Sequence, residues 1–371
     1  MKSPTFWPHV LKRTVATSIS VFILVAALIG TLLIFRLPLG PSIHAIVEGA
    51  FGDKFGLSRT AVKMTPLLLT GLGMVVAWRA GMYNIGGEGQ FILGGLAGAW
   101  VASFVPPGIS GIAADLVRIL ILVGCIGGGA GWAWIAAWLY VRRGVAVVIS
   151  TILLNFVAVQ ILGWAVSGPL QEAKRQVPLT EQLPDAVMLP KFDRQMDLHA
   201  GVVLALLTAG VVYVFLFLTK AGFRIRLVGS NPNVALANRI PAERQQLIAM
   251  LISGGLCGLA GGIEYVGMTG QLGAGFSQQW GFLGIPVALL GALHPLAVIP
   301  SAVYFGALFA GSENLARFTE AGTTIVYVIQ AVAVLALVAV RSRVSNRQQA
   351  LPDESAEPAD QIAKSEQGVA S

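Results

Sequence analysis

The sequence predicts an all-α polytopic membrane protein of about ten transmembrane helices, with an inverted-repeat core and both termini on the cytoplasmic side. Three observations predict it. Of 371 residues, 55% are hydrophobic and only 12% are charged, and the mean hydropathy is +0.75, far from the make-up of a soluble domain. The apolar residues are gathered into charge-free runs of about 20, the helix length that crosses a hydrocarbon core of about 30 Å. Basic residues collect in alternate loops between those runs, as they do on the cytoplasmic face.

The first run, residues 15–35, follows Lys2, Lys12 and Arg13 as a signal peptide would. It is longer than a usual h-region and no small-x-small site follows it, so it reads as a retained anchor behind a cytoplasmic N-terminus of residues 1–14. Residues 119–140, 145–168, 201–218, 247–263 and 323–340 also lack charged side chains and read as secure spans. Residues 64–78, 91–105, 281–293 and 296–311 are shorter and hold internal Gly, Pro or Thr, which fits broken or tilted spans facing protein or a wet cavity. A transmembrane domain over 15–340 follows. Residues 341–371 turn polar and acidic and read as a disordered cytoplasmic tail.

The loop 219–246 sets the orientation, because it carries Lys220, Arg224, Arg226, Arg239 and Arg244 against the single acid Glu243. That loop belongs inside. The acids Glu172, Glu181, Asp185, Asp193 and Asp197 lie in the loop 169–199, which falls outside. Within the inner loop, Asn231-Pro232 is a helix start, since asparagine caps orphan N–H groups and proline suits the first helical position. A short helix over 232–240 is expected, and Gly222 and Gly229, which flank the basic strip before it, permit sharp turns. The helix is a natural docking knob for a soluble partner.

One polar stretch, YNIGGEGQ at 83–90, interrupts the apolar pattern. Glycines 86, 87 and 89 disfavour regular helix there. Glu88, an ionisable group at membrane depth, should face protein or water and act on a substrate, cap the helix from Phe91 onward, or pair with Arg79. Free N–H groups at the start of that helix could hold a polar substrate group. A second glycine-rich stretch, TGQLGAGFSQQW, follows Gly267-Met268 as YNIGGEGQ follows Gly81-Met82. The spans they end run in opposite directions, so an inverted repeat would bring both stretches around one path. Asn84, Gly86, Gly87, Glu88, Gln90, Asn155, Glu264, Gln271 and Phe276 are the path candidates, with Phe276 and Trp280 as stacking surfaces for a base.

These stretches carry a resemblance. GFRIRLVGSNP, through Gly222, Arg226, Gly229, Asn231, Pro232 and Ala235, resembles the cytoplasmic coupling loop of ABC-importer permeases of the simple-sugar and nucleoside group. It departs at Arg239-Ile240-Pro241, where a glycine usually precedes the isoleucine. YNIGGEGQ resembles the nucleoside branch, and VISTILLNF and GFLGIPVALLG resemble the same family, although Ala146-Val147 stands where a polar pair is usual. The resemblance implies a permease for nucleosides in a bacterial inner membrane, its loop gripped through Gly222, Arg224, Arg226, Gly229, Asn231 and Pro232. It implies as partners a separate ABC ATPase, a second permease of different sequence and an extracytoplasmic binding lipoprotein. A permease for a simple sugar such as a pentose is the alternative, and an ion-coupled secondary transporter is a more distant one.

Other classes find no support in the residues. There is no GxxxxGK[ST], so ATP must be hydrolysed by another chain. His9, His44, His199 and His294 are scattered with no nucleophile or metal constellation, so neither catalysis nor a cofactor is expected. Cys125 and Cys257 fall inside spans as buried apolar thiols. The pI near 9.6 reflects the inner loops rather than a nucleic-acid partner.

Overall fold

The computed structural model describes residues 25–318 apart from 27, 107 and 194, together with 328, 329, 331, 332 and 335. The chain divides into one unit at Pro38–Val326 and another made of Met1–Leu37 with Tyr327–Ser371. The first of these contains every helix from Leu39 to Phe318. The tail 341–371 and residues 1–24 lie outside the described residues, as does most of the run 323–340.

Among the described residues this unit is helical, with no strand and only three isolated bridges. Helix α1 (Leu39–Val47) leads through a π-helical turn, Glu48–Gly52, into α2 (Lys54–Arg79). Then come α3 (Gly87–Ala102), α4 (Gly111–Arg143), α5 (Val147–Val166) and α6 (Gly201–Leu218). The inner loop holds α7 (Lys220–Ser230) and α8 (Pro232–Ala237), and α9 (Ala242–Glu264), α10 (Trp280–Leu290) and α11 (Pro295–Phe318) complete the unit. Six of these helices are long and apolar enough to cross a membrane.

All eight runs expected between 64 and 311 fall on helices. Two are not the short, broken spans expected. Helix α2 has 26 residues and continues through Pro66, and α11 has 24 and continues through Pro300. Charged residues hid their length: Lys54, Arg59 and Lys63 belong to α2, and Glu313 and Arg317 to α11. Asp53 starts α2 by accepting the Gly56 N–H at 2.6 Å, which supplies an orphan donor with its partner. By contrast α3 and α10 are short, with 16 and 11 residues.

Burial separates an inner group of helices from an outer one. The apolar windows of α2, α9 and α11 are mostly buried, whereas those of α4, α5 and α6 are mostly exposed, as lipid-facing helices must be. The neighbours of α9 approach it closely because the contact faces are glycine. A Cβ at Gly258 of α9 would strike the Cys125 carbonyl and the backbone of Gly129 in α4, and one at Gly94 of α3 would strike Gly258. Cys125 and Cys257 are buried free thiols.

The loop 169–199 is ordered onto the linker between α9 and α10. Thr180, Leu183 and Leu189 donate backbone N–H groups to Leu272, Gly270 and Val266, each at 2.9 Å. Arg118 of α4 holds the same loop through the Val187 and Ala186 carbonyls, at 2.9 and 2.8 Å. His199, 1% exposed, fills the space left by Gly201 and Gly267, where a Cβ would meet its ring. Burial, with Lys191 nearby, pushes its imidazole down to about 4. Its Nδ1 therefore stays an acceptor, taking the Gly201 N–H at 3.1 Å.

Candidate functional site

The polar stretch between α2 and α3 is the centre of a network of buried side-chain hydrogen bonds. Gly81, with φ 76°, turns the chain out of α2, a conformation that costs a side-chain-bearing residue about 1–2 kcal/mol. Asn84 then makes the next bend itself: its Oδ1 accepts the Gly86 N–H at 2.8 Å. The two amides of Asn84 and Gln90 pair reciprocally, at 2.9 and 3.0 Å, and Asn84 also donates to the Ser253 hydroxyl of α9 at 2.9 Å. Asn84 and Ser253 are 0% exposed and Gln90 is 1% exposed. Polar groups this deep are tolerable only when each has a partner.

Two helix starts meet in this centre, and each is capped by a side chain from a neighbouring helix. Asn155 of α5 accepts the Gly89 N–H in the first turn of α3 at 2.8 Å and donates to the Ile85 carbonyl at 3.0 Å. Thr151, one turn earlier, accepts the Ile85 N–H at 3.3 Å. Glu88 of α3 in turn accepts the Gly281 N–H, in the first turn of α10, at 3.0 Å. The residue before α10, Gln279, has φ 65° and makes no capping bond of its own. Glu88 therefore supplies the cap from outside, with its carboxyl oxygen at the positive end of the helix dipole. Backbones touch at this point: a Cβ at Gly281 would strike Glu88, and one at Gly87 would meet the Gly281 carbonyl and Met74. Thr70 of α2 donates to the Trp280 carbonyl at 3.1 Å, so α10 is gripped from two sides.

The sequence-derived path residues thus divide. Asn84, Gly86, Gly87, Glu88, Gln90 and Asn155 come together in one buried centre. Phe276 reaches its edge, with its ring 5.3 Å from that of Phe91. Trp280 is 1% exposed and its ring lies tilted against that of Phe309, with centroids 5.0 Å apart, so both aromatic surfaces already contact protein rings. Gln271 and Glu264 are half-buried, in the linker and at the end of α9. Glu88 caps neither its own helix nor a helix from Phe91; α3 begins at Gly87. One N–H at each helix start, that of Gly89 in α3 and that of Gly281 in α10, is taken by Asn155 and by Glu88.

Sequence reasoning missed Ser253, which carries no motif, and the ion pair Lys63–Glu313, whose atoms lie 2.5 Å apart. Lys63 also stands 5.8 Å above the Trp280 ring. The signal was available in part: a lone lysine and a lone glutamate one or two residues outside apolar runs are candidates for pairing once the helices lengthen. Thr151 lay within VISTILLNF and its spacing of four from Asn155 marks one helix face.

The inner loop differs from expectation in detail. Asn231 does cap α8, accepting the Asn233 and Val234 N–H groups, each at 3.1 Å. The helix ends at Ala237 rather than 240, because Arg239 adopts φ 55°, the left-handed conformation usual after a helix end and usually given to glycine. Gly222 and Gly229 make no turns. Both lie inside α7, where a Cβ would strike the backbone of Phe215 and Leu216 in the first case and of Arg79 and Gly81 in the second. They let α7 pack against the ends of α6 and α2. Arg226 donates Nε to the Leu216 carbonyl at 2.9 Å and lies 4.6 Å from the Phe217 ring centre. Arg224 is exposed.

The chain is 33% identical over 296 residues to a glucose ABC transporter permease of Haloferax volcanii, covering 77% of each chain. It is 30% identical over 304 residues to a guanosine ABC transporter permease of Bacillus subtilis, covering 78% of this chain and 83% of that one. A nucleoside ABC transporter permease of Lactococcus lactis is 27% identical over 280 residues, covering 72% and 74%. Residues 56–339, which hold the buried centre and the inner loop alike, match the family described as branched-chain amino acid transport system / permease component. The chain belongs to that family and is a multi-pass membrane permease subunit of an ABC transporter, not an enzyme.

Proposed function

We propose that this permease takes up nucleosides, working as one half of a permease pair with a separate ATPase and an extracytoplasmic binding protein in a bacterial inner membrane. The observation that carries the reading is the form of the buried centre, Asn84 to Gln90, in a chain whose relatives include permeases named for guanosine and for nucleosides. Ten spans with both termini inside, related by an inverted repeat, accommodate the meeting of α3 and α10 starts. Glu88 is the residue through which the two halves bear on each other and on the substrate path. Its carboxylate holds α10 in place, and a shift of either helix must break or remake that cap. Glu264, Gln271 and Phe276 extend the path along the α9–α10 linker.

The ATPase grips α8, whose outer surface is exposed and whose start is set by Asn231 and Pro232. Gly222, Gly229 and Arg226 transmit the motion, because they lock α7 to the ends of α6 and α2. Replacing Asn231 and Pro232 together should leave ATP hydrolysis running while uptake falls. Uptake and hydrolysis that stay coupled would remove this role.

A sugar substrate is the second reading, favoured by the 33% identity to a glucose permease. The deciding experiment is uptake of labelled adenosine, uridine and ribose by cells with and without this chain, at fixed membrane potential, with ATP depleted or restored. Nucleoside uptake that needs both the chain and ATP supports the proposal. Ribose uptake alone would move the substrate to the sugars, and uptake that follows the ion gradient would overturn the ATP-driven mechanism.

A further inference from the structure

The corner between α6 and α7 carries two charges, Lys220 and Arg224, that the proposed transport cycle leaves unused. Helix α6 ends at Leu218, and α7 starts at Lys220 with Thr219 as its cap, accepting the Gly222 N–H at 3.1 Å. A surface pocket of about 390 Å³ opens at this corner, with Lys220, Arg224 and Arg226 on its walls beside Phe217, Leu218 and Phe223. Arg226 is fixed there by the Leu216 carbonyl and the Phe217 ring. Lys220 and Arg224 have no hydrogen bond or ion pair among the described residues.

Several features of this corner are unfavourable without an anion. Lys220 and Arg224 are four apart on one helix, a like-charge spacing that destabilises it. Lys220 sits in the first turn, where the helix dipole disfavours a cation, and no acid offsets it there. A phosphate in the pocket would reverse both effects, since it would lie among the cations and at the helix start. The surroundings identify its source. Leu218 is 68% exposed and Phe223 is 55% exposed, and both flank the cations at the end of a membrane span. Exposed apolar side chains at that level meet acyl chains, while the neighbouring cations meet headgroups.

We propose that this corner is a binding site for the phosphate headgroup of an anionic phospholipid, with its acyl chains along Leu218 and Phe223. Bound lipid braces α7 against α6. Because Gly222 packs α7 onto the α6 backbone, the brace fixes the helix from which α8 extends. Arg224, which the loop sequence groups with the ATPase contacts, then serves lipid rather than the ATPase. The site depends on neither the substrate nor the sidedness of the loop, only on its place at the end of a span.

The test uses the full chain in neutral detergent, titrated with phosphatidylglycerol or phosphatidylcholine and read by native mass spectrometry. Wild type should retain phosphatidylglycerol selectively, and Lys220→Gln with Arg224→Gln should weaken that retention about tenfold, leaving phosphatidylcholine unchanged. Equal retention of the two lipids, or equal retention by wild type and variant, overturns the proposal. So does inorganic phosphate binding more tightly than the lipid, or displacement of the lipid by the ATPase subunit. A second measurement covers a variant that fails to fold. Cys125 and Cys257 are buried, so a bimane label on Ala221→Cys, an exposed position, reports the corner alone. Brominated phosphatidylglycerol in nanodiscs should quench it more than brominated phosphatidylcholine, and equal quenching contradicts the site.

Discussion

Asn84 and Asn231 do the same local work in opposite surroundings. Each stands at a break between helices, and each accepts backbone N–H groups of the residues that come after it, Gly86 in one case and Asn233 with Val234 in the other. Asn84 is 0% exposed and Asn231 is exposed. At the surface, water can replace a lost cap. In the centre nothing can, and so Asn84 is tied to Gln90 and Ser253 as well. The difference teaches where rigidity is built. The centre is a closed network in which each polar group fixes another, whereas the inner loop is a capped helix on a packed support, free to be gripped.

Substitution separates the two regions. Asn84→Ala should cost about 3 kcal/mol, because it orphans a buried N–H, an amide and a hydroxyl together. Loss of folded protein in detergent, by fluorescence-detected size exclusion, checks it, and a loss no larger than that of the surface asparagine would dissolve the distinction. Acid should act next most strongly, through His199. Its folded pKa of about 4 lies below the ordinary value near 6.5, so its contribution is complete above about pH 6.5 and is lost as pH falls toward 4. Linkage gives a loss of about 2 kcal/mol between pH 7 and pH 5. A melting-temperature slope that flattens in His199→Asn would assign it, and a slope unchanged in that variant would not.

Smaller effects belong to the exposed loop. Asn231→Ala should cost about 1 kcal/mol, the usual worth of an N-cap, with normal membrane levels and weakened coupling. Arg239→Gly should stabilise slightly, by about 0.5 kcal/mol, since the left-handed conformation that Arg239 holds costs an ordinary residue more than glycine loses in chain entropy. A melting temperature that falls in this variant would mean that the Arg239 side chain contributes more than its backbone costs.

Much of this arrangement was legible in the sequence for physical reasons that act locally. The Asn231-Pro232 start and the apolar run of α6, whose bounds the structure reproduces as Gly201–Leu218, depend on neighbours in the chain, whereas of the glycines expected to break the helix only Gly86 stands outside it, Gly87 and Gly89 being in the first turn of α3. The features that were not legible depend on partners far away. Glu88 finds its partner 193 residues on, at Gly281, and Lys63 finds Glu313 at a separation of 250. The lengths of α2 and α11 were hidden because charge at a helix end marks a span boundary only when the charge is unpaired. Gly222 and Gly229 could be recognised as special, but a glycine needed for a turn and one needed for close packing look alike until φ and the facing backbone are known.

The most direct measurement is labelled-nucleoside uptake by Glu88→Gln at matched membrane levels. Glutamine keeps an acceptor for the Gly281 N–H, so α10 should stay capped and the protein should fold, while the charge that the proposed path uses is gone. Uptake about tenfold or more below wild type, with insertion and melting temperature unchanged, is the predicted result. Uptake at the wild-type rate would mean that Glu88 is a helix cap alone, and that the path lies elsewhere.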